Sequence, residues 1–282
     1  MQWCSQESLF LKRRETKKRK ARWVAKGFRQ QQGMDFDQTY AGVCKTTTWK
    51  LAIALAAFFG LEIEQADVVG AFLNSDTDTE ILMDVPPDWE VNGSILENAP
   101  NWMCQLQKAL YGLKQAPRLW QRELAKALYG LRFTACASDY SVYCNQETGI
   151  LIVTYVEDML IIGKQITTIQ KLKKELMRKF EIEDLGPAAY FVGVRITRNR
   201  EAGTISLCQD AYITKILHRY GMENCKAVDT SVATGAAEVM IPFEGKASHA
   251  EIELYGSKIG SFNASYKINV SLGRSPCQSL VM

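Results

Sequence analysis

Two stretches of the sequence place carboxylates where apolar strands end. In TYVEDMLIIG (154–163), Glu157 and Asp158 stand side by side between two apolar runs, and in LEIEQADVV (61–69) Asp67 stands near the end of another. Tight hairpin turns favour Asn-Gly or Asp-Gly, because they need positive φ, so an acid pair at such a tip asks for a different reason. Ionised carboxylates beside a core are costly unless they are paired or bind metal, and neither stretch has a Lys or Arg adjacent to the acids. If the two strands lie next to each other, three carboxylates meet at one sheet edge. Mg²⁺ prefers such an oxygen-rich set, with waters and substrate phosphates filling its other positions. Two ions about 3.5–4 Å apart can activate an attacking oxygen and stabilise a leaving one, which is phosphoryl or nucleotidyl transfer. The plainer alternative is that Glu157 and Asp158 solvate a turn while Asp67 caps the next segment.

The elements that must position these acids are readable in outline. WVAKGF (23–28) reads as a short strand stopped at Gly27. TTTWKLAIALAAFFG (46–60) reads as a helix with a Thr cap at its start and Gly60 just past its end. Strands are expected at 61–69, at ILMDV (81–85), at NWMCQLQ (101–107) and at SVYC (141–144), the last leading into the hairpin of 154–163. A loop, YGLKQA, precedes a helix opening at Pro117, a favoured first-turn position, with Trp120, Leu124, Ala127 or Leu128, and Leu131 on one face. ITTIQKLKKELMRKF (166–180) is the clearest amphipathic helix, its apolar face formed by Ile166, Ile169, Leu172, Leu176 and Phe180. YFVGVRIT and TISLC read as strands, followed by a helix ending at Gly221. This mixture with an antiparallel hairpin points to an α+β fold rather than a parallel doubly wound sheet. From about residue 230 the pattern dissolves, and a linker or poorly packed tail is expected there.

Composition narrows the classes. Of 282 residues, 47% are hydrophobic and 23% charged, as in ordinary globular proteins. The longest apolar run, LAIALAAFFGL, falls short of the roughly 20 residues that span a bilayer. The start lacks a basic segment followed by an apolar one, so secretion is not expected. Eight scattered cysteines without a CxxC, and only two histidines, argue against zinc and for reduced thiols in an intracellular chain. Net charge is +3, but residues 12–22, KRRETKKRKAR, hold eight basic residues against one Glu. That run suits a solvated arm, a nuclear-import patch or a phosphate-contacting surface, and composition does not choose between cytoplasm and nucleus.

Several motifs in order carry a resemblance. KARWVAKGFRQQQGMDFDQTYAGV (20–43), EQADVVGAFLNSD (64–76), LQKALYGLKQAPRLW (106–120), TYVEDMLIIG, FEIEDLGPAAYFVGVRI (180–196) and LCQDAYITKILHRYGMENCKAVDT (207–230) together resemble the reverse transcriptase of copia-type LTR retrotransposons. The resemblance implies a right-hand polymerase fold, with an antiparallel palm sheet carrying the acids, fingers, and a partial thumb or connection. It implies an arm over 1–19, the reverse transcriptase domain over 20–230 and a degenerate or truncated connection over 231–282. By the same resemblance Asp67, Glu157 and Asp158 are the catalytic acids, holding two Mg²⁺ ions with Mn²⁺ as a substitute. Phe72 is the aromatic that packs under the sugar and disfavours a ribonucleotide. Lys20, Arg22 and Lys26 meet triphosphate or template, Gly112, Lys114 and Gln115 belong to the loop that nucleotide and template approach, and FVGV around Gly193 is the primer grip. The partners implied are an RNA or DNA template-primer and deoxynucleoside triphosphates, without a membrane.

The sequence also departs from the family. The usual tetrad is YVDD and this chain has YVED, so Glu157 carries one more methylene, moving its carboxylate by about 1.5 Å. Mg²⁺ tolerates little departure from octahedral geometry, and a misplacement near 1 Å can cost roughly 100-fold in rate. Reduced or absent polymerisation is therefore expected. The segment before KARWVAKG is abbreviated, NASYKINVSLGRSPCQSLVM has no family counterpart, and a fragment of a retroelement Pol polyprotein is implied. A catalytically dead remnant that keeps nucleic-acid binding is the competing expectation.

Overall fold

A computed structural model describes residues 22–85, 90–91, 94–95, 103–226, 245–266 and 270–273. The chain divides into two compact units, Met1–Ala188 and Ala189–Met282. The basic run before Arg22 lies outside the described residues, as do Lys20, 86–89, Trp102 and 227–244.

In the first unit, α1 (Thr46–Phe59) is closed by Gly60 at φ 68°, the left-handed stop the sequence signals. Its start differs from expectation: Lys45, not a Thr, is the N-cap residue, and no side chain caps the helix. The Lys45 backbone N–H instead donates to Asp139 Oδ2 at 3.0 Å. Strand β1 (Glu62–Val68) follows, then a 3₁₀ turn over Ala71–Asn74. β2 (Leu82–Asp84) pairs with β5 (Met103–Gln105), and β3 (Glu90–Val91) with β4 (Ser94–Ile95). α2 (Ala116–Gly130) opens with Pro117 in its first turn. β6 (Thr134–Cys136), β7 (Asp139–Asn145), β8 (Ile150–Tyr155), β9 (Asp158–Gly163), α3 (Ile166–Met177) and β10 (Ile182–Pro187) complete the unit.

These strands form a six-stranded antiparallel sheet in the order β10-β1-β9-β8-β7-β6. The order explains the sequence pattern. β8 and β9 are inner strands with a helix against them, so they read as nearly continuous apolar runs. Alternate side chains face opposite sides of a strand. Ala66, Val68, Met159 and Ile161 join Trp120 and Leu124 of α2 and Ile169 and Leu172 of α3 in one core cluster. Each such large apolar side chain contributes about 1.5–3 kcal/mol when buried. α1 packs against β1 and β9, and its buried Trp49, Ile53 and Ala56 stand outside that cluster. α3 stops at Met177, short of the expected 180, and its first residue Ile166 is 41% exposed. Phe180 nonetheless packs inward, edge-on to Trp120 at 5.2 Å.

α3 also buries a cation. Lys173 is 1% exposed; its Nζ donates to Glu64 Oε2 at 2.9 Å, to the Gln65 carbonyl at 3.2 Å, and to Asp184 Oδ1. One lysine thus ties α3 to β1 and β10.

The expected strand over 23–28 is absent. Ala25 donates one backbone hydrogen bond to Tyr111 at 2.8 Å, and Gly27–Arg29 form a 3₁₀ turn. The reason is a meeting of glycines: a Cβ on Gly27 would stand 1.9 Å from the Gly112 carbonyl, and one on Gly112 would stand 2.1 Å from that of Ala25.

The second unit is a four-stranded antiparallel sheet, β11 (Tyr190–Phe191), β12 (Val194–Asn199), β13 (Thr204–Cys208) and β14 (Val270–Gly273), in that order. The expected YFVGVRIT strand is broken by a turn in which Val192 and Gly193 both have positive φ, 49° and 74°. α4 (Asp210–Arg219) is followed by α5 (His249–Tyr266), and the Tyr220 hydroxyl lies 3.0 Å from Ser257 Oγ. The tail expected from residue 230 onward therefore contains a helix, and a strand paired with β13.

Candidate active site

The register of the first sheet decides where the acids go. β1 and β9 are neighbours, and Asp67 is directly opposite Asp158. Directly opposite residues share a face of the sheet, with Cβ atoms about 4.5–5.5 Å apart. On its other side Asp67 is opposite Glu183 of β10. Asp158, Asp67 and Glu183 therefore stand in a row across three strands. Like charges placed so are destabilising. The Asp158 carboxyl is pushed above the usual Asp range, first by burial, then by the charges of Asp67 and Glu157.

The β8–β9 hairpin turns on Val156 and Glu157 alone, since β8 ends at Tyr155 and β9 begins at Asp158. Val156 has φ 56°, a region that a β-branched residue rarely enters. Such a backbone costs on the order of 1–3 kcal/mol and persists only where its surroundings fix it. Here the fixing is visible. The Trp120 indole N–H donates to the Val156 carbonyl at 2.7 Å, and the Val68 N–H donates to the Glu157 carbonyl at 3.0 Å. The turn is thus pinned to α2 on one side and to the end of β1 on the other.

The Glu157 side chain meets a residue that the sequence reading passed over. The Tyr111 hydroxyl donates to Glu157 Oε1. The Tyr111 ring lies edge-on to Phe72 with centroids 4.8 Å apart, and the Arg22 guanidinium sits 5.4 Å from its centre. Burial, the hydrogen bond to Glu157 and that carboxylate's charge all raise the Tyr111 phenol above its ordinary value, with Arg22 opposing. Tyr111 therefore links Arg22, Phe72 and Glu157. A signal for it existed: an acid pair without an adjacent cation needs a donor from elsewhere, and YGLKQAP offers a tyrosine.

The other expected site residues are placed as follows. Phe72 is 9% exposed in the 3₁₀ turn after β1. Gly112 has φ 91° and is exposed on one side, while the close approach it permits on the other is to Ala25. Gln115 is fully buried; its Nε2 donates to the Asp35 carbonyl at 2.9 Å and its Oε1 accepts from Gln30 Nε2 at 3.0 Å. Lys114 Nζ donates to the Gln30 carbonyl at 3.1 Å and lies over the Phe36 ring at 5.0 Å. Lys26 lines a cavity of about 260 Å³ with Arg29, Gln30, Asp35 and Asp84.

Two of the three expected acids are thus brought together by strand pairing. The third is engaged with Tyr111, and among the described residues no three Asp, Glu, His or Cys side chains are gathered as a metal ion needs. Among the described residues, no helix is long and apolar enough to cross a membrane.

The chain is similar in sequence to known proteins. A family profile described as "Reverse transcriptase (RNA-dependent DNA polymerase)" matches residues 5–234. The retrovirus-related Pol polyprotein from transposon TNT 1-94 of Nicotiana tabacum is 39% identical over 249 residues, covering 86% of this chain and 18% of that protein. The corresponding polyproteins from transposons RE1 and RE2 of Arabidopsis thaliana are 35% and 34% identical, each over 76% of this chain and 14% of their own length. The chain spans less than a fifth of these relatives.

Proposed function

The chain belongs to the reverse transcriptase (RNA-dependent DNA polymerase) family and to its copia-type transposon branch, and on that premise we propose that it extends a nucleic-acid primer by two-metal nucleotidyl transfer. The observation that carries this reading is the placement of Asp67 opposite Asp158, with Glu157 next to Asp158 in the β8–β9 turn. The donor set is all carboxylate oxygen, which suits Mg²⁺ or Mn²⁺, and a cation would offset the burial and the neighbouring charges that together raise the Asp158 carboxyl. Asp67, Glu157 and Asp158 would hold the ions. When bound, they supply activation of the attacking 3′-hydroxyl and neutralise charge on the phosphates.

The chain's own residues do the rest. The six-stranded sheet serves as the palm, and the segment from Arg22 through β2 and β5 as the fingers. Lys20, Arg22 and Lys26 bring positive charge toward triphosphate or template. Phe72 stands two residues beyond Gly70 at the end of β1, where an aromatic edge excludes a 2′-hydroxyl and favours deoxynucleotides. Gly112 leaves one side of its loop open to nucleotide and template, while Lys114 and Gln115 hold that loop to Gln30 and Asp35.

A second reading is favoured by Glu157 itself. With its carboxylate bonded to Tyr111, the site fits a polymerase of reduced rate, or a remnant that binds nucleic acid through the basic run 12–22. Primer extension on an RNA template, in Mg²⁺ and in Mn²⁺, separates the two. Activity that Asp67→Asn abolishes supports the polymerase. Silence in the native chain with activity in Glu157→Asp supports an intact site disabled by one methylene. Silence in both, with binding that weakens steeply with salt, supports the remnant.

A further inference from the structure

The Tyr111–Glu157 contact belongs to no part of the proposed chemistry, yet it occupies one of the three acids. Tyr111 is held from two sides, by the Phe72 ring edge and by Arg22 over its face, and its backbone carbonyl accepts from Ala25 at 2.8 Å. The hydroxyl is therefore a fixed donor rather than a mobile one. Glu157 is fixed in backbone by the Trp120 and Val68 hydrogen bonds at its turn, but its side chain has rotamers to choose from. A carboxylate between a fixed phenol and two neighbouring carboxylates is drawn to the phenol, because the hydrogen bond to an ionised acceptor is strong and the acids repel.

We propose that the Tyr111 hydroxyl is a latch on Glu157, one that a divalent cation has to displace before the third carboxylate can join Asp67 and Asp158. Tyr111 is then a positioning residue that sets how tightly the site takes its cation. The latch is specific to this tetrad: an Asp at 157 is shorter by one C–C bond, about 1.5 Å, and leaves the phenol out of reach. The inference rests on the reading of the three acids as a cation site, and the following test distinguishes the failure of one from the failure of the other.

Mn²⁺ is titrated into the full chain and the free ion is read by its electron paramagnetic resonance signal. The variants are Tyr111→Phe, Glu157→Asp, the two combined, and Asp67→Asn. Tyr111→Phe keeps the ring and its contacts, and circular dichroism melts confirm that each variant is folded. The latch predicts that Tyr111→Phe tightens Mn²⁺ binding roughly 10-fold, the order expected for losing one competing charged hydrogen bond. Glu157→Asp tightens it as well, and in that background Tyr111→Phe changes it by less than about 2-fold. Weaker or unchanged binding in Tyr111→Phe overturns the latch, as does an equal change in both backgrounds. If that happens while Asp67→Asn still weakens binding, the cation site stands without the latch. Mn²⁺ binding that ignores Asp67→Asn, or that is undetectable in every variant, overturns both.

Discussion

Two of the three acids on strand β1, Glu64 and Asp67, stand three residues apart and in different surroundings. Glu64 is 4% exposed, faces α3, and is neutralised by Lys173 within 2.9 Å. Asp67 is half-buried and stands in register between Asp158 and Glu183. In the first region the chain supplies its own cation, and the acids there have a structural task. In the second, acids are set beside acids on neighbouring strands, and it is there that the proposed cation site lies. The same two residue types, Asp and Glu, mean opposite things according to what the fold puts beside them.

Breaking the first region should have the largest effect. Lys173→Met leaves Glu64 buried without its partner and is expected to cost about 3–5 kcal/mol, read as a drop in urea midpoint. Replacing Lys173, Glu64 and Asp184 together by apolar residues should recover most of that loss, which would show that the cost lies in the unpaired charge.

Breaking the second region should do the reverse. Asp158→Asn removes a like-charge neighbour of Asp67 and is expected to stabilise the metal-free chain by up to about 1 kcal/mol, while abolishing primer extension. Adding Mg²⁺ should shrink that advantage, because the cation neutralises the same repulsion in the native chain.

Acid titration sharpens the contrast through its sign. The folded-state pKa of Asp158 is raised, so its penalty is absent below the unfolded Asp value near 3.9 and grows as pH rises through the folded value. Burial pushes Asp184 up, but the Lys173 hydrogen bond, the Gly186 N–H and the lysine charge bring it below the ordinary range. Its contribution is therefore present above about pH 3.9 and fades as pH falls through the folded value. Melting curves between pH 3 and 7 should show the advantage of Asp158→Asn shrinking toward acid, and the deficit of Asp184→Asn shrinking as well.

The smallest effect is expected at Glu183, which is exposed. Glu183→Gln should raise stability by a few tenths of a kcal/mol without changing primer extension more than about 2-fold. A larger loss of activity would move Glu183 from a neighbour of the site into it.

The second region was more legible in the sequence than the first. Asp67, Glu157 and Asp158 stand out because acids interrupt apolar strands, whereas the pairing of β1 with β9 is only a condition in the sequence and comes from the structure. Lys173 does not stand out. It sits in KLKKELM on a helix whose periodicity assigns every lysine to solvent, and its partner Glu64 is 109 residues away. Tyr111 was hidden in the same way, with its contact spanning 46 residues. The strand expected at 23–28 failed because two glycines there and at 112 press backbone on backbone, leaving one hydrogen bond where a ladder was anticipated. The helix at 249–266 carries glycines at 256 and 260 that interrupt any periodic reading.

The buried lysine has a consequence for how the chain assembles. A slip of one residue between β1 and β9 turns every side chain of β1 to the opposite face. Such a slip would bring Ile63 or Gln65 beneath Lys173 and strand an ammonium in an apolar layer, while pushing Asp67 toward the core. A mispaired sheet would thus be penalised at both ends of one strand at once. The register that keeps Lys173 on Glu64 and Asp184 is the same register that sets Asp67 opposite Asp158.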